Sequence, residues 1–267
     1  MSNDGQEAAA AGGMPAVNAL SPGDISACLR AGIADFVRAP LYGLFFGGVY
    51  FAGGLFILAA LNVFDMPWMI IPVAIGFPLV GPFVAVGLYE VSRRLAAGDR
   101  LEWRGVLTAM ARQRERQLAW MAFVVLFIFW IWIYQVRLLL AIFLGFKSFS
   151  SIGAFVHVVT ATPEGLAFLT VGTAVGAVLA LVLFSSTVIA IPLLLDREID
   201  FVSAIITSFR AVIENPVTMV GWGLAVTALA ILAMLPAFAG LLVVLPVLGH
   251  ATWHLYRRAV APAVPRG

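Results

Sequence analysis

The sequence predicts an all-α protein: a polytopic bundle of about six membrane-spanning helices, with short amphipathic helices along the cytoplasmic surface. Three observations carry this. Hydrophobic residues make up 62% of the 267 residues and charged residues 11%, against about 45–50% and about 25% in a soluble globular chain. Mean hydropathy is +1.02, so water would find too little polar surface to cover, and a bilayer is the fitting solvent. The apolar residues fall in long runs, and almost all basic residues fall between alternate pairs of those runs. The formal net charge of +2 belongs to those loops and calls for no nucleic acid. A single cysteine, Cys28, excludes an intrachain disulfide and any cysteine-rich metal or iron–sulfur site.

Residues 1–20 are small, polar and unpatterned, with Asp4 and Glu7 but no Lys or Arg. No apolar run of signal-peptide length follows before Leu41, so they are expected to form a disordered cytoplasmic tail rather than a cleaved signal. One transmembrane domain is expected over 21–258, with spans at about 41–64, 67–91, 118–144, 165–195, 217–235 and 238–256, and a short tail over 259–267. The last apolar stretch, Val217–Leu255, is too long for one helix rising about 1.5 Å per residue across a core of about 30 Å. Pro236 and Ala237–Gly240 supply a turn that divides it in two.

Six spans place both termini on one side. That side takes every basic residue except Arg137 and Lys147, including the seven arginines between Arg93 and Arg116. Retained positive charge marks the cytoplasmic side, and such a belt attracts anionic lipid head groups.

The segments before the odd-numbered spans read as surface helices. Before the first span, Ile25, Leu29, Ile33 and Phe36 recur at helical spacing, with Arg30, Asp35 and Arg38 off that stripe. Ser21-Pro22-Gly23-Asp24 reads as an N-cap, a first-position proline and a third-position carboxylate. Before the fifth span, Ile199, Val202, Ile206, Phe209 and Ile213 repeat the stripe. Asp24 to Pro40 and Asp200 to Pro216 each cover 16 residues. A weaker version, with Trp103, Leu107 and Met110, precedes the third span. Pro82, Pro192 and Pro246 each fall in a returning span. The chain therefore reads either as three copies of one unit or as the alternation of amphipathic entries and arginine exits found in any multi-pass protein.

Taken together, Asp35-Phe36 with Pro40, GFPLVGPFVAVGLYEVSRRLAAGD at 76–99, IPLLLDREIDFVSAIITSFRAVIENPVTMVGW at 191–222 and LPVLGHATWHLYRR at 245–258 resemble the proteobacterial family catalogued as domain of unknown function 2189. The resemblance covers roughly residues 24–258. It implies an integral protein of the bacterial inner membrane and supplies no activity to carry over residue by residue.

Several positions are candidates for chemistry. Pro72, Gly76, Pro78, Gly81 and Pro82, with Glu90 at the end of the second span, fit a substrate site, since interior prolines free backbone carbonyls that a broken helix can offer near the midplane. The plainer reading is a kinked helix, with Glu90 paired to Arg93 or Arg94. His250 and His254 share a helical face and could hold a metal or haem. Within the span no Cys, Asp or Glu accompanies them, and with Trp253, Tyr256 and Arg257 they read as an interfacial anchor. Three histidines in all are too few for a haem–copper oxidase core, so no cofactor is expected. Gly43/Gly47 and Gly172/Gly176 match the spacing that lets helices approach. No phosphate loop, G-x-S-x-G, H-E-x-x-H or pair of intramembrane aspartates occurs. The expectation is a protein without catalytic residues. It would serve as an accessory or scaffold that binds another membrane complex or lipid; the alternatives are a small-molecule or lipid transporter and, behind it, a haem- or metal-binding respiratory component.

Overall fold

The computed structural model describes residues 14–63, 70–114, 118–145 and 152–262, without the side chains of 61, 70–80, 112–114, 118 and 152. In chain order the helices are α1 Pro22–Arg38, α2 Pro40–Asn62, α3 Ile70–Ala97, α4 Trp103–Arg114 and α5 Leu118–Leu139, which runs on into a π turn at Leu140–Leu144. Then come α6 Ile152–Ala161, α7 Pro163–Thr187, α8 Ala190–Asp196, α9 Phe201–Glu214, α10 Pro216–Met234 and α11 Leu241–Ala259. Among the described residues, four stretches are long and apolar enough to cross a membrane: Pro40–Ala60, Ala119–Leu144, Pro163–Asp196 and Pro216–Met234. The chain divides into two compact units, one made of residues up to Ala122 together with those from Ser185, the other of Phe123–Phe184.

In the first unit α11 is central, with α1, α2, α3, α8 and α10 all packed on it. It buries Leu248, His250, Ala251, Trp253, Leu255 and Tyr256. Such close packing depends on missing side chains: a Cβ on Gly32 of α1 would lie 2.6 Å from the Val247 carbonyl oxygen, and one on Gly47 of α2 would lie 2.7 Å from that of Leu242. Beside α11, a cluster of Ala39, Tyr42, Phe46, Val84, Leu88, Val91 and Val106 joins α2, α3 and α4. Tyr42 stacks on Trp103 there with ring centroids 4.0 Å apart.

Helix ends follow local chemistry. Ser21 caps α1 in a reciprocal box with Asp24, whose Oδ2 accepts from the Ser21 amide at 2.8 Å. Asp200 caps α9 by accepting from the Ser203 amide at 2.9 Å. The joints into the next helices match: Ala39 before Pro40 has φ −135° and ψ 55°, and Asn215 before Pro216 has φ −130° and ψ 53°. Between α7 and α8 the helix breaks at Val188–Ile189, four residues before Pro192 can donate no amide. The Ile189 amide donates instead to Ser208 Oγ at 3.1 Å.

The amphipathic helices are inside-out by the standard of a soluble protein. Helix α1 buries Cys28, Gly32 and Asp35 while Ile33 is exposed. Helix α9 buries Ala204, Thr207, Ser208, Ala211 and Val212 while Val202, Ile206 and Ile213 are exposed. Small residues let backbones approach one another, so they form the most buried side, while part of each apolar stripe stays exposed.

One expectation is corrected. Residues 14–20, assigned to a disordered tail over 1–20, are ordered. Val17 pairs antiparallel with Val260, the Asn18 amide donates to the Ala259 carbonyl at 2.8 Å, and the Leu20 amide donates to Asn215 Oδ1 at 2.6 Å. Hydrogen bonds to backbone and to the Asn215 and Thr218 side chains, not apolar burial, hold this segment. Val260 and Ala261, expected in the short tail over 259–267, are its other side. Residues 1–13 and 263–267 lie outside the described residues.

In the second unit α6 and α7 join at Thr162, whose Oγ1 accepts from the Gly165 amide at 3.0 Å and caps α7. Helix α6 fills most of the loop before α7; residues 146–151 lie outside the described residues. A Cβ on Gly172 would be 3.7 Å from Leu139 Cδ1, while one on Gly176 would meet nothing within 4 Å.

Candidate functional site

The polar residues of the first unit gather around the C-terminal half of α11. His250 and His254, one turn apart, are drawn to two different partners. His254 Nε2 lies 2.8 Å from Asp35 Oδ2 on α1, and His250 Nδ1 lies 2.8 Å from Ser92 Oγ on α3. Asp35 is 5% exposed, and Ser92 and His250 are fully buried. Burial pushes the Asp35 carboxyl up, but hydrogen bonds from His254 and Ser92 and the two imidazoles beside it outweigh this, and the group sits below the usual carboxylate range. A hydroxyl has one proton. With that proton on Asp35, Ser92 accepts from His250 Nδ1–H, and Nε2 carries the lone pair. This Nε2 is buried and has no hydrogen-bond partner among the described residues. The chain His254–Asp35–Ser92–His250 ties α1 and α3 to α11, and its burial leaves no room for a substrate at Ser92. Among the described residues no three His, Cys, Asp or Glu gather as a metal ion requires.

A second polar group sits on α3. Glu90 is 1% exposed, and its carboxylate accepts from Arg93 Nε at 2.7 Å and Nη2 at 2.8 Å, and from Arg94 Nε at 2.7 Å. These arginines open into a cleft of about 460 Å³ between α3, α4 and α8, lined also by Glu102, Arg104, Gly105, Thr108, Ala109 and Leu195.

The second unit offers a different surface. Phe123, Leu126, Phe127, Trp130, Ile131, Tyr134, Gln135 and Leu138, one face of α5, line an apolar groove of about 690 Å³. Phe123 stacks on Phe127 and Trp130 leans on Tyr134, with centroids 6.2 and 6.1 Å apart. Gln135 Oε1 finds no hydrogen-bond partner there among the described residues.

Of the residues predicted for a substrate site, only Gly81, Pro82 and Glu90 have described side-chain surroundings. Helix α3 runs as one helix from Ile70 to Ala97; the substrate-site reading called for a break in it, the plainer reading only for a kink. The side chains of Pro72 and Pro78 and the surroundings of Gly76 lie outside the described residues. A Cβ on Gly81 would lie 3.6 Å from the Tyr50 hydroxyl. Pro82 continues the helix, and Glu90 is engaged with its two arginines. Trp253 and Tyr256, expected as an interfacial anchor, are each 1% exposed; Tyr256 donates to Asp196 Oδ2 at 2.6 Å.

An all-α chain with four such apolar helices, buried polar side chains paired between helices and apolar stripes turned outward is an integral membrane protein. Residues 70–196 match the family model described as "Predicted integral membrane protein (DUF2189)", so the chain resembles that family there. Within that match lies GFPLVGPFVAVGLYEVSRRLAAGD; Asp35-Phe36 with Pro40 and LPVLGHATWHLYRR lie outside it. No curated protein and no solved structure matches the chain.

Proposed function

We propose that the protein is a non-enzymatic accessory protein of the bacterial inner membrane, which seats an apolar helix of another membrane protein along the aromatic face of α5. The α5 groove carries this reading. Its rings are exposed, Phe123 at 58% and Tyr134 at 61%, and the unpartnered Gln135 carbonyl favours a helix bearing a donor over lipid chains, because an unpaired amide in hydrocarbon is costly. The unbroken α3 weakens the transport alternative, which rested on a broken second span.

The topology we infer is six spans with α3 and α11 returning, both termini in the cytoplasm, and anionic lipid head groups around the arginine belt. The pairing of Val17 with Val260 supports an even number of crossings. The matching joints at Ala39 and Asn215 support a repeat of surface helix and outward span.

Photocrosslinking in native membranes tests the partner. A crosslinker at Trp130 gives a discrete protein adduct, whereas one at Val217, 75% exposed in α10, gives lipid adducts; lipid adducts from both positions would overturn the reading. Reporter tags at Glu102 and Ser150 should report opposite compartments, and the same compartment for both would remove the six-span topology.

A further inference from the structure

We propose that the cleft between α3, α4 and α8 binds a single phosphate-bearing anion through the outer edges of Arg93, Arg94 and Arg104 and the Thr108 hydroxyl. This deepens the reading of the arginine belt as a lipid-facing feature and rests on it, while standing apart from the α5 reading.

The cleft is shaped and charged for such a ligand. Three arginines face two carboxylates, Glu90 and Glu102. Glu90 is buried, and its two oxygens are taken by Arg93 Nε and Nη2 and Arg94 Nε. It therefore orients the guanidiniums, leaving Nη1 of Arg93 and both Nη groups of Arg94 to point elsewhere. Pre-oriented guanidiniums lose little conformational freedom on binding. The Arg94 guanidinium lies over Gly105, where a Cβ would be 2.7 Å from Nη1 and 2.8 Å from Nη2, so α4 approaches this closely only through a glycine. Arg104 is exposed at the rim. Of the acids near Arg93, Asp196 is engaged by Tyr256 at 2.6 Å and Arg257 at 3.2 Å, and Asp99 is the other.

An ionised carboxylate offers about four acceptor sites, fewer than two forked guanidinium edges, a third arginine and a hydroxyl would fill. A phosphate group has enough acceptors, and its bidentate pairing with arginine is strong. A volume of about 460 Å³ falls within the range of about 300–1,000 Å³ of small-molecule sites. Ala109 and Leu195 add an apolar wall suited to the carbon skeleton behind the phosphate. Two sources offer this chemistry: the head group of an anionic phospholipid and a soluble phosphate.

The full chain in mild detergent, titrated with phosphatidylglycerol, phosphatidylcholine or inorganic phosphate and read by native mass spectrometry, decides the matter. Wild type is expected to hold one phosphatidylglycerol in clear preference to phosphatidylcholine. Arg104→Gln removes a charge-assisted contact and Gly105→Leu fills the cleft. Each should weaken that binding about tenfold, as the loss of about 1.5 kcal/mol predicts, while Arg100→Gln outside the cleft leaves it unchanged. Two variants acting through different means guard against misfolding of either one. If inorganic phosphate binds instead and Arg104→Gln abolishes that binding, the cleft stands with a soluble ligand. A phosphatidylglycerol preference that survives both cleft variants overturns the cleft and leaves the belt. No preference in wild type, with no binding of inorganic phosphate, overturns both.

Discussion

The unit centred on α11 and the unit of Phe123–Phe184 solve the same problem, an apolar chain in an apolar solvent, in opposite ways. Around α11 the specific contacts are polar or small. Asp35, Glu90, Ser92, Ser208, Asn215 and His250 are buried and take partners on other helices, on the segments that join or precede helices, or on arginines of the same helix, and glycines bring backbones together. In the other unit the distinctive side chains are large and exposed: Phe123, Phe127, Trp130, Tyr134 and Val178 are all more than half exposed. Where lipid is as apolar as leucine, burying leucine decides little. Close backbone packing and satisfied hydrogen bonds decide which helices associate, and the aromatic side chains of α5 are left exposed.

The sharpest way to break this contrast is at a glycine. Gly32→Val drives a side chain into the Val247 carbonyl and the Ala251 amide, 2.6 and 2.7 Å from a Cβ. Backbone of α11 cannot rotate aside, so a cost of about 3 kcal/mol is expected. Thermal unfolding in mild detergent reads it as a lowered midpoint. Gly176→Ala, with nothing within 4 Å of its Cβ, should be neutral or stabilising by up to about 1 kcal/mol from helix propensity. Equal losses at both positions would mean that backbone approach does not distinguish the units.

Glu90→Gln comes next. It removes the negative charge that holds two guanidiniums, 39% and 22% exposed at the side chain. Truncating a fully buried pair costs about 3–5 kcal/mol; with these arginines partly solvated, about 2 kcal/mol is the expected loss. A Glu90→Gln chain as stable as wild type would show that the carboxylate only follows its arginines.

What was legible in the sequence was local. The α1 cap, the joints at Pro40 and Pro216 and the pairing of Glu90 with Arg93 and Arg94 are set by residues within one or two turns, and pattern rules reach them. The α2–α11 approach at Gly43 and Gly47 was legible as spacing, though not its partner. The centre of the polar cluster was not. His250 and His254 showed no acid within their span because Asp35 comes from 219 residues away and Ser92 from 158. The clue was on α1: Asp35 falls seven residues after Cys28 and three after Gly32, on one helical face of small and polar residues. In a membrane protein that face makes the closest contacts with other helices, while of the apolar stripe Ile25 reaches Gly221 and Ile33 stays exposed. The N-terminal segment was missed for the same reason, since its anchor Asn215 is almost 200 residues downstream.

Asp35→Asn tests whether the buried cluster contributes stability by charge. The neutral amide keeps the shape but loses the charge-assisted bond to His254, at a cost of about 1 kcal/mol near neutral pH. The sign of the pH effect follows from the Asp35 pKa, which is lower in the folded protein than in the unfolded chain. The carboxylate therefore adds stability that is fully present above its ordinary value of about 3.9 and is lost as pH falls through the folded value. Below about pH 4, the ordinary carboxylate value, the wild-type midpoint should fall more steeply than that of Asp35→Asn, and the two curves should run parallel above it. Curves parallel below it as well would place the acid sensitivity elsewhere, for instance at Asp24 or Asp200, whose carboxyls also sit below the usual range because Ser21 and Ser203 donate to them.

The smallest effect is expected at α5, and it matters because it is small. Trp130 is 54% exposed and makes its ring contact with Tyr134 on the same helix. Trp130→Ala should thus change stability by no more than about 0.5 kcal/mol, as for other exposed positions, and leave the unfolding midpoint nearly unmoved. The same substitution should abolish the protein adduct from a crosslinker placed one turn away at Phe127. A residue that contributes nothing to its own fold and everything to a contact is defined by its partner. A loss of stability comparable to that of Glu90→Gln would instead make the aromatic face part of this chain's own packing, and the distinction between the two units would be gone.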